Sequence, residues 1–359
     1  MSGGHRKACV AVGPVTVAQG RKYLPEPRSE RGHERTQFVR FTIRRKILLF
    51  TVVPAVLILA LLLGINAYRL YRRQTVIVDQ EMALVARRHA RTIDAAMREA
   101  AQVARTTAAF VGLSESLSEA EYYGLLRANV SQNEVIYGAA LAFEPGAIDP
   151  ERRLFCPYVH QSPDGLKELD IGRDGYDYTQ PEWTWWNVPK KSGKPEWTDP
   201  YFDEGAGNAL MITYSAPIFR QGKFFGVATV DIGLAPFHES ILNQMEPGLE
   251  FFITDRRGGY VFRGNDSSKS FSGNLLEEGR LLGRPDVTAL GVRLISEKSG
   301  AGYVPTWMGP KKRQWVYFNS LEVSQWCFSL VVPDERIMAP VRQVLYSNML
   351  LLQAAIVAV

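Results

Sequence analysis

The sequence predicts an α+β protein made of a transmembrane helix, a long spine helix, two tandem antiparallel sheet units and the start of a second transmembrane helix. Three observations carry this. Ile47 to Tyr68 is an uncharged apolar run of about 22 residues. From there to Phe110 small and apolar residues recur at helical steps of three and four. Beyond residue 130 the runs become short, β-branched and aromatic, and are bounded by Gly, Pro or Asp.

The chain opens with a basic tail, residues 1–46, rich in Arg, Pro, Gly and Ser and expected to be disordered. It holds eleven Lys or Arg against three acids, so the net charge of +5 over 359 residues leaves a mildly acidic remainder. The basic excess is therefore a topological marker, and no nucleic-acid partner is expected. Residues 47–68 come next as the transmembrane helix. At about 1.5 Å per residue that length crosses the hydrocarbon layer. A buried core helix would show a polar face, whereas only Thr51 and Asn66 are polar here. A cleaved signal peptide would have a shorter apolar run and a shorter basic lead. The basic tail places the N-terminus in the cytoplasm and the chain after residue 68 on the far side of the inner (plasma) membrane; Arg69, Arg72 and Arg73 argue the other way with less weight. Residues 343–359 are again uncharged and end in MLLLQAAIVAV. They are expected to begin a second membrane helix, cut short, with a cytoplasmic part continuing beyond it.

Between the membrane segments, residues 69–112 form the spine. Its stripe is read as Val78, Met82, Val85, His89, Ile93, Ala96, Ala100, Val103, Thr107 and Phe110. His89 is read as a packing residue. A short helix is expected over Glu119–Asn129, capped by Ser118 with Glu121 at its third position. Strands are expected within 135–145, 153–160, 208–219 and 223–234, the last two joined by a hairpin at Arg220, Gln221 and Gly222. A second set lies in 251–263, about a Gly258–Gly259 turn, then after a loop region in 301–309, around RQWVYFNSL and in 325–333. Cys156 and Cys327 are read as buried free thiols rather than a disulfide, and Cys9 lies in the tail.

The chemistry concentrates between Tyr178 and Asp231. Tyr178, Trp183, Trp185, Trp186, Trp197 and Tyr201 fall within about 24 residues, and Asp231 closes an otherwise apolar strand. Aromatics at this density in a loop over a sheet suggest a concave pocket. Trp197 is read as packing. Asp203 and Glu204 are read as an exposed turn in preference to a cation site, and Asp255 as a hairpin tip.

The run WTDPYFDEGAGNALMITYSAPIFRQGKFFGVATVDIGL (197–234), with the YGAALAFEP strand, the DYTQPEW stretch and the closing QWCFSLVVPDERIMAPV, resembles double Cache sensor domains of bacterial transmembrane receptors. The likeness spans about residues 70–342. It implies two PAS-like units on the spine: a membrane-distal one, 113–240, that takes small ligands, and a membrane-proximal one, 241–342, within a sensor spanning 69–342. Similar sensor halves precede histidine kinases, chemoreceptors, cyclic-di-nucleotide synthases and SpoIIE-type serine phosphatases. Amino-acid-binding relatives carry a Tyr, an Arg five residues on, Trp, Tyr, a PY-turn Tyr and a strand Asp. Those positions fall on Tyr178, Trp183, Trp185, Trp186, Tyr201 and Asp231. Trp183 replaces the Arg that would hold a ligand carboxylate, so the expected ligand is a small amine or quaternary ammonium, paired with Asp231 inside an aromatic enclosure.

No GxSxG, HExxH, phosphate loop or metal spacing occurs, and only five histidines are present, so no enzyme activity, cofactor or metal is expected in this chain. The expected partners are a small-molecule ligand, the lipid bilayer, a second copy of the chain in a homodimer packed along the spine, and a cytoplasmic output. An extracytoplasmic enzyme or a structural membrane protein is the alternative.

Overall fold

Pro54 disturbs the helix that enters the chain's first apolar segment, and the local geometry shows how. In the computed structural model, which describes residues 42–173, 176–264, 273–305 and 313–357, the short helix α1 (Ile43–Ile47) widens into a π-helical turn over Leu48–Val52 before α2 (Val53–Leu113) begins. Pro54 has no N–H to donate and its ring crowds the carbonyl of the preceding turn, so the turn opens to accommodate it. The basic tail up to residue 41, with Cys9, and residues 306–312 lie outside the described residues. Among the described residues, one helical run, Arg45–Leu113, is long and apolar enough to cross a membrane. The chain divides into units Met1–Ala55 and Val56–Val359.

Within the second unit, α2 buries Met82, Ala86, Ala90, Ile93, Met97, Ala100, Ala104, Ala108 and Val111. Met82, Ile93, Ala100 and the buried Thr107 lie on the expected stripe, and the alanines complete the line. Val85, His89, Ala96 and Val103 are half-buried flanks, and Phe110 is 51% exposed. Alanine is what decides: its small side chain lets the helix axis approach the sheets, so the Ala positions sit at the contact line and larger residues stand beside it. Asp94 is also buried on this face, accepting the backbone N–H groups of Glu322 (2.8 Å) and Val323 (3.1 Å). His89 stacks on Phe328 at 5.6 Å. After α3 (Glu119–Ser131), which begins with the expected Ser118–Glu121 capping box, come two antiparallel sheets.

The first contains β1 (Gly138–Phe143), β2 (Pro157–Ser162), β3 (Gly165–Asp170), β4 (Glu196–Trp197), β5 (Tyr201–Phe202), β6 (Leu210–Arg220) and β7 (Lys223–Gly233), in the order β3-β2-β1-β7-β6-β4 with β5 also on β6. The second contains β8 (Glu250–Thr254), β9 (Tyr260–Arg263), β10 (Ser299–Pro305), β11 (Arg313–Ser320) and β12 (Cys327–Pro333), in the order β10-β11-β12-β8-β9. Each sheet thus places its last strand beside its first, with the second strand on the far side of the first: one design used twice. Helix α2 covers one face of both sheets.

Two loops of the sequence reading are helices. The aromatic window contains α4 (Thr184–Ser192), and the stretch after β9 contains α6 (Leu275–Leu281) and α7 (Pro285–Ser296). Helix α5 (Leu234–Leu242) succeeds β7 without an intervening residue. The described residues end in α8 (Asp334–Val357), with Leu345, Met349, Leu350 and Leu351 exposed. Cys156 and Cys327 are both buried and free.

Candidate functional site

Strand alternation divides the first sheet into two chemistries. On β7, Ala228, Val230 and Ile232 face α2, while Val227, Thr229 and Asp231 face the opposite side. On β6, Ile212, Tyr214, Ala216 and Ile218 join the α2 side, leaving Thr213 to share a face with Asp231. A β-bulge makes this match. The hairpin pairs Phe219 with Phe224 but Ile218 with Gly226, so the extra residue Phe225 shifts every later pair by one and sets Thr213 opposite Asp231. An unbulged hairpin would set Ile212 there and turn the apolar set of β6 towards the polar side.

On the far side of the sheet from α2 lies a small cavity of about 20 Å³, lined by Ala140, Tyr158, Ile171, Tyr176, Trp185, Tyr201, Asp203, Ala206, Thr213, Thr229 and Asp231. As it stands it has room for about one water molecule. Tyr201 donates to Thr213 (2.7 Å), whose hydroxyl donates to Asp231 (2.7 Å), a relay that orients the carboxylate. Opposite stands a second acid. Asp203 accepts from the Tyr176 hydroxyl (3.0 Å) and the Gly207 N–H (2.8 Å), and Tyr137 closes the same loop by donating to the Gly207 carbonyl (2.8 Å). Asp203 is 5% exposed, so the expected exposed turn is corrected: loop and sheet bury its carboxylate. Gly138, directly across β1 from Asp231, gives up its side-chain space to the Tyr158 ring, since a Cβ there would collide with the phenol oxygen. Tyr158 leans on Asp231 closely enough to favour its charged form, yet its hydroxyl has no hydrogen-bond partner.

Burial pushes Asp231 up to about 7, the nearby Asp203 adding to the effect and the Thr213 bond opposing it. Asp203 is raised too, again by burial first. Tyr158 and Tyr201 are pushed well above their ordinary range by burial and by the two acids. No Lys or Arg lines the cavity.

Of the six aromatic and acidic residues singled out, Trp185, Tyr201 and Asp231 line this cavity. The other three stand behind it. Tyr178 is fully buried and donates to the Phe143 carbonyl (2.7 Å), Trp186 packs edge-on to Tyr178 and Phe224, and Trp183 stacks on Tyr176 at 4.3 Å. Helix α4 sorts them, presenting Trp185 to the cavity and Trp186 to the core behind it. Trp197 packs against Tyr214 on the α2 side. Tyr158, Tyr176 and Thr213 were not singled out, and Asp203 was read as turn chemistry. Thr213 was findable only with the bulge; Asp203 was findable only from its burial. The corresponding face of the second sheet is filled by Phe252, Tyr260, Leu275, Val287, Leu290 and Phe318 against α6 and α7. Among the described residues, no cluster of His, Cys, Asp and Glu could hold a metal ion.

Comparison with known proteins meets this geometry. Residues 122–239 match the family model of the first PDC sensor domain of methyl-accepting-chemotaxis-protein-like receptors. The chain is 29% identical to the methyl-accepting chemotaxis protein TlpQ of Pseudomonas aeruginosa, in a match that takes in 31% of this chain and 18% of that protein. Among solved structures, the extracellular domain of the histidine kinase soHK1S-Z6 superposes with a TM-score of 0.64 at 27% identity, covering 75% of this chain and 99% of that one. Methyl-accepting chemotaxis protein X shares the fold, with a TM-score of 0.59 at 24% identity over 73% of this chain and 99% of its own. Residues 122–239 thus resemble a chemoreceptor-type PDC sensor domain, and they follow a helix long and apolar enough to cross a membrane.

Proposed function

We propose that this sensor region is the input half of a membrane receptor and that the cavity of its first sheet binds a small amine. The observation that carries the reading is Asp231: a buried carboxylate, oriented by Thr213 and enclosed with Tyr158, Tyr176, Trp185 and Tyr201, in a cavity to which no Lys or Arg contributes. An ammonium would pair with the carboxylate, and ring faces would add cation–π attraction of roughly 0.5–2 kcal/mol each. A free amino acid would bring a carboxylate with no cationic partner among the lining residues. Room for the ligand comes from movement of the loop that Tyr176, Asp203 and Gly207 hold shut.

The signal has a direct path. Strand β7 carries Asp231 and runs straight into α5, whose His238 meets the Gly264 carbonyl at 3.0 Å and lies between Phe251 and Phe262 of the second sheet. Displacement of β7 on binding would shift α5, the second sheet and α8 together, against the α2 spine anchored by Asp94. On this reading the N-terminus is cytoplasmic, the sensor lies outside the cell membrane, α8 leads into a second membrane helix, two copies pair along α2, and a cytoplasmic output receives the signal. Calorimetry on the whole chain in lipid nanodiscs, with ethylammonium, tetramethylammonium and alanine as probes, tests the ligand class. Binding of the amines, abolished in Asp231→Ala, is expected. Alanine binding that survives Asp231→Ala would sink the reading.

A further inference from the structure

The cavity is lined by two buried carboxylates and by no Lys or Arg. Asp203 and Asp231 are 5% and 4% exposed, and the charge of Asp203 adds to the cost of ionising Asp231. Of the groups around them only His160 can carry a positive charge, which favours an ionised Asp203, so two negative charges stay unbalanced. From β2 come Tyr158 and, one step further along the strand, His160, whose Nδ1 lies 2.8 Å from the Gln161 carbonyl; from β5 comes Tyr201, from β6 Thr213, from the loop before α4 Tyr176, and from β1 only Gly138 and Ala140. The tyrosines are held neutral by burial. The Tyr158 hydroxyl, 2% exposed as a residue and on the cavity wall, lacks a partner, so the site has a polar group in reserve for an occupant.

We infer, resting on the amine reading, that Asp203 is a second anchoring carboxylate and that the filled site holds two positive charges with protons counted: a dicationic amine enters with both carboxylates ionised, a monocationic amine with one proton kept on the pair. The reason is that a single ammonium between two desolvated carboxylates leaves one net buried charge, which the site removes most cheaply by protonation. The pair titrates as a unit. Its more basic member, near 7, sits midway between the two conditions that separate the cases.

The test is calorimetry on the whole chain in nanodiscs at pH 6 and pH 8, in buffers of different protonation heat, with butylammonium and doubly charged diaminobutane. At pH 8 butylammonium takes up about one proton per site and diaminobutane none; at pH 6 diaminobutane expels about one and butylammonium none. Asp203→Asn keeps an acceptor for the Gly207 N–H while its amide N–H donates to the Tyr176 hydroxyl, removes both differences, and weakens diaminobutane about 30-fold while leaving butylammonium within a few-fold. Asp203→Glu restores the proton counts. Equal proton counts for the two amines at both conditions overturn the inference and leave the amine reading standing. Binding of neither amine overturns both. If Asp203→Asn does not fold, the proton counts on the unaltered chain decide alone.

Discussion

Replacing Asp94 with alanine should loosen the second sheet from the spine. Asp94 is 4% exposed on α2 and its two oxygens each accept one backbone N–H from the β11–β12 turn, at 2.8 and 3.1 Å. Hydrogen bonds to a charged group contribute about 1.5–3 kcal/mol each. If both N–H groups stayed dry after truncation the loss would approach the upper end for the pair. They do not stay dry, because Asp94 borders an open groove with Arg87, Arg91 and Arg98 through which water reaches the turn. The expected loss is therefore about 3 kcal/mol, or about 6–12 °C in the midpoint of thermal unfolding for a region of this size. Arg98→Ala is the control: its ion pair with Glu322 spans 3.3 Å between side chains that are 56% and 79% exposed, and its loss should cost under about 1 kcal/mol. The assay is differential scanning fluorimetry of the chain in nanodiscs, with hydrogen exchange at Glu322 and Val323. If the two variants melt together, or the turn stays protected in Asp94→Ala, the buried carboxylate does not hold the sheet.

The geometry also sets three further outcomes. Asp231→Asn should raise the melting temperature of the ligand-free protein. The sign comes from the raised acid: between about pH 4 and 7 the unfolded chain ionises Asp231 and the folded chain does not, so native stability falls as pH rises through that window and levels off above it. The gain from Asn should therefore grow from pH 4 to 7 and then stay constant, as thermal scans across pH will show. Gly138→Ala would drive a Cβ into the Tyr158 phenol oxygen, so it should cost about 1–3 kcal/mol and weaken amine binding by pushing Tyr158 off Asp231, read by melting and calorimetry together. Ser118→Ala removes the α3 cap, whose hydroxyl accepts from Glu121 N–H and whose own N–H donates to Glu121 at 2.7 Å; about 1 kcal/mol should be lost without any change in ligand binding.

Much of the architecture was legible in the residues because local signals agreed with the fold. The capping box of α3, the Gln221–Gly222 hairpin, both at positive φ, and the β-branched runs of β7 and β12 all appear where patterning puts them. Helix α4 was not legible. Its sequence, TWWNVPKKS, carries β-prone aromatics, an internal proline and no side-chain cap, and tertiary packing of Trp185, Trp186 and Pro189 overrides those preferences. Helix α7 did leave a signal: Pro285 at its start, then Val287, Leu290, Gly291 and Leu294 at helical spacing. The spine was legible in existence and at Met82, Ile93, Ala100 and Thr107, but not at Ala86, Ala90, Ala104 and Ala108, since alanines carry little weight in an apolar pattern and yet define the contact. At the site, Asp231 stood out because a charge in an apolar strand is conspicuous. Asp203 did not, because an acid beside glycines has the composition of any surface turn.

The bulge at Phe225 also fixes what kinds of change this lineage can absorb. Substitutions on the cavity side of β6 and β7 alter what is recognised while the residues beneath keep their packing on α2, so ligand preference can drift without rebuilding the transmitting face. Insertions have no such freedom. Losing one residue between the hairpin tip and Asp231 can be absorbed by giving up the bulge, which leaves Thr213 opposite the carboxylate, but gaining one would exchange the two faces of the strand, setting apolar residues in the cavity and a carboxylate against the spine. The distance from Gly222 to Asp231 therefore cannot grow by one residue, whereas the turn at Ser162–Gly165, on the edge strand farthest from β6, can lengthen at little cost.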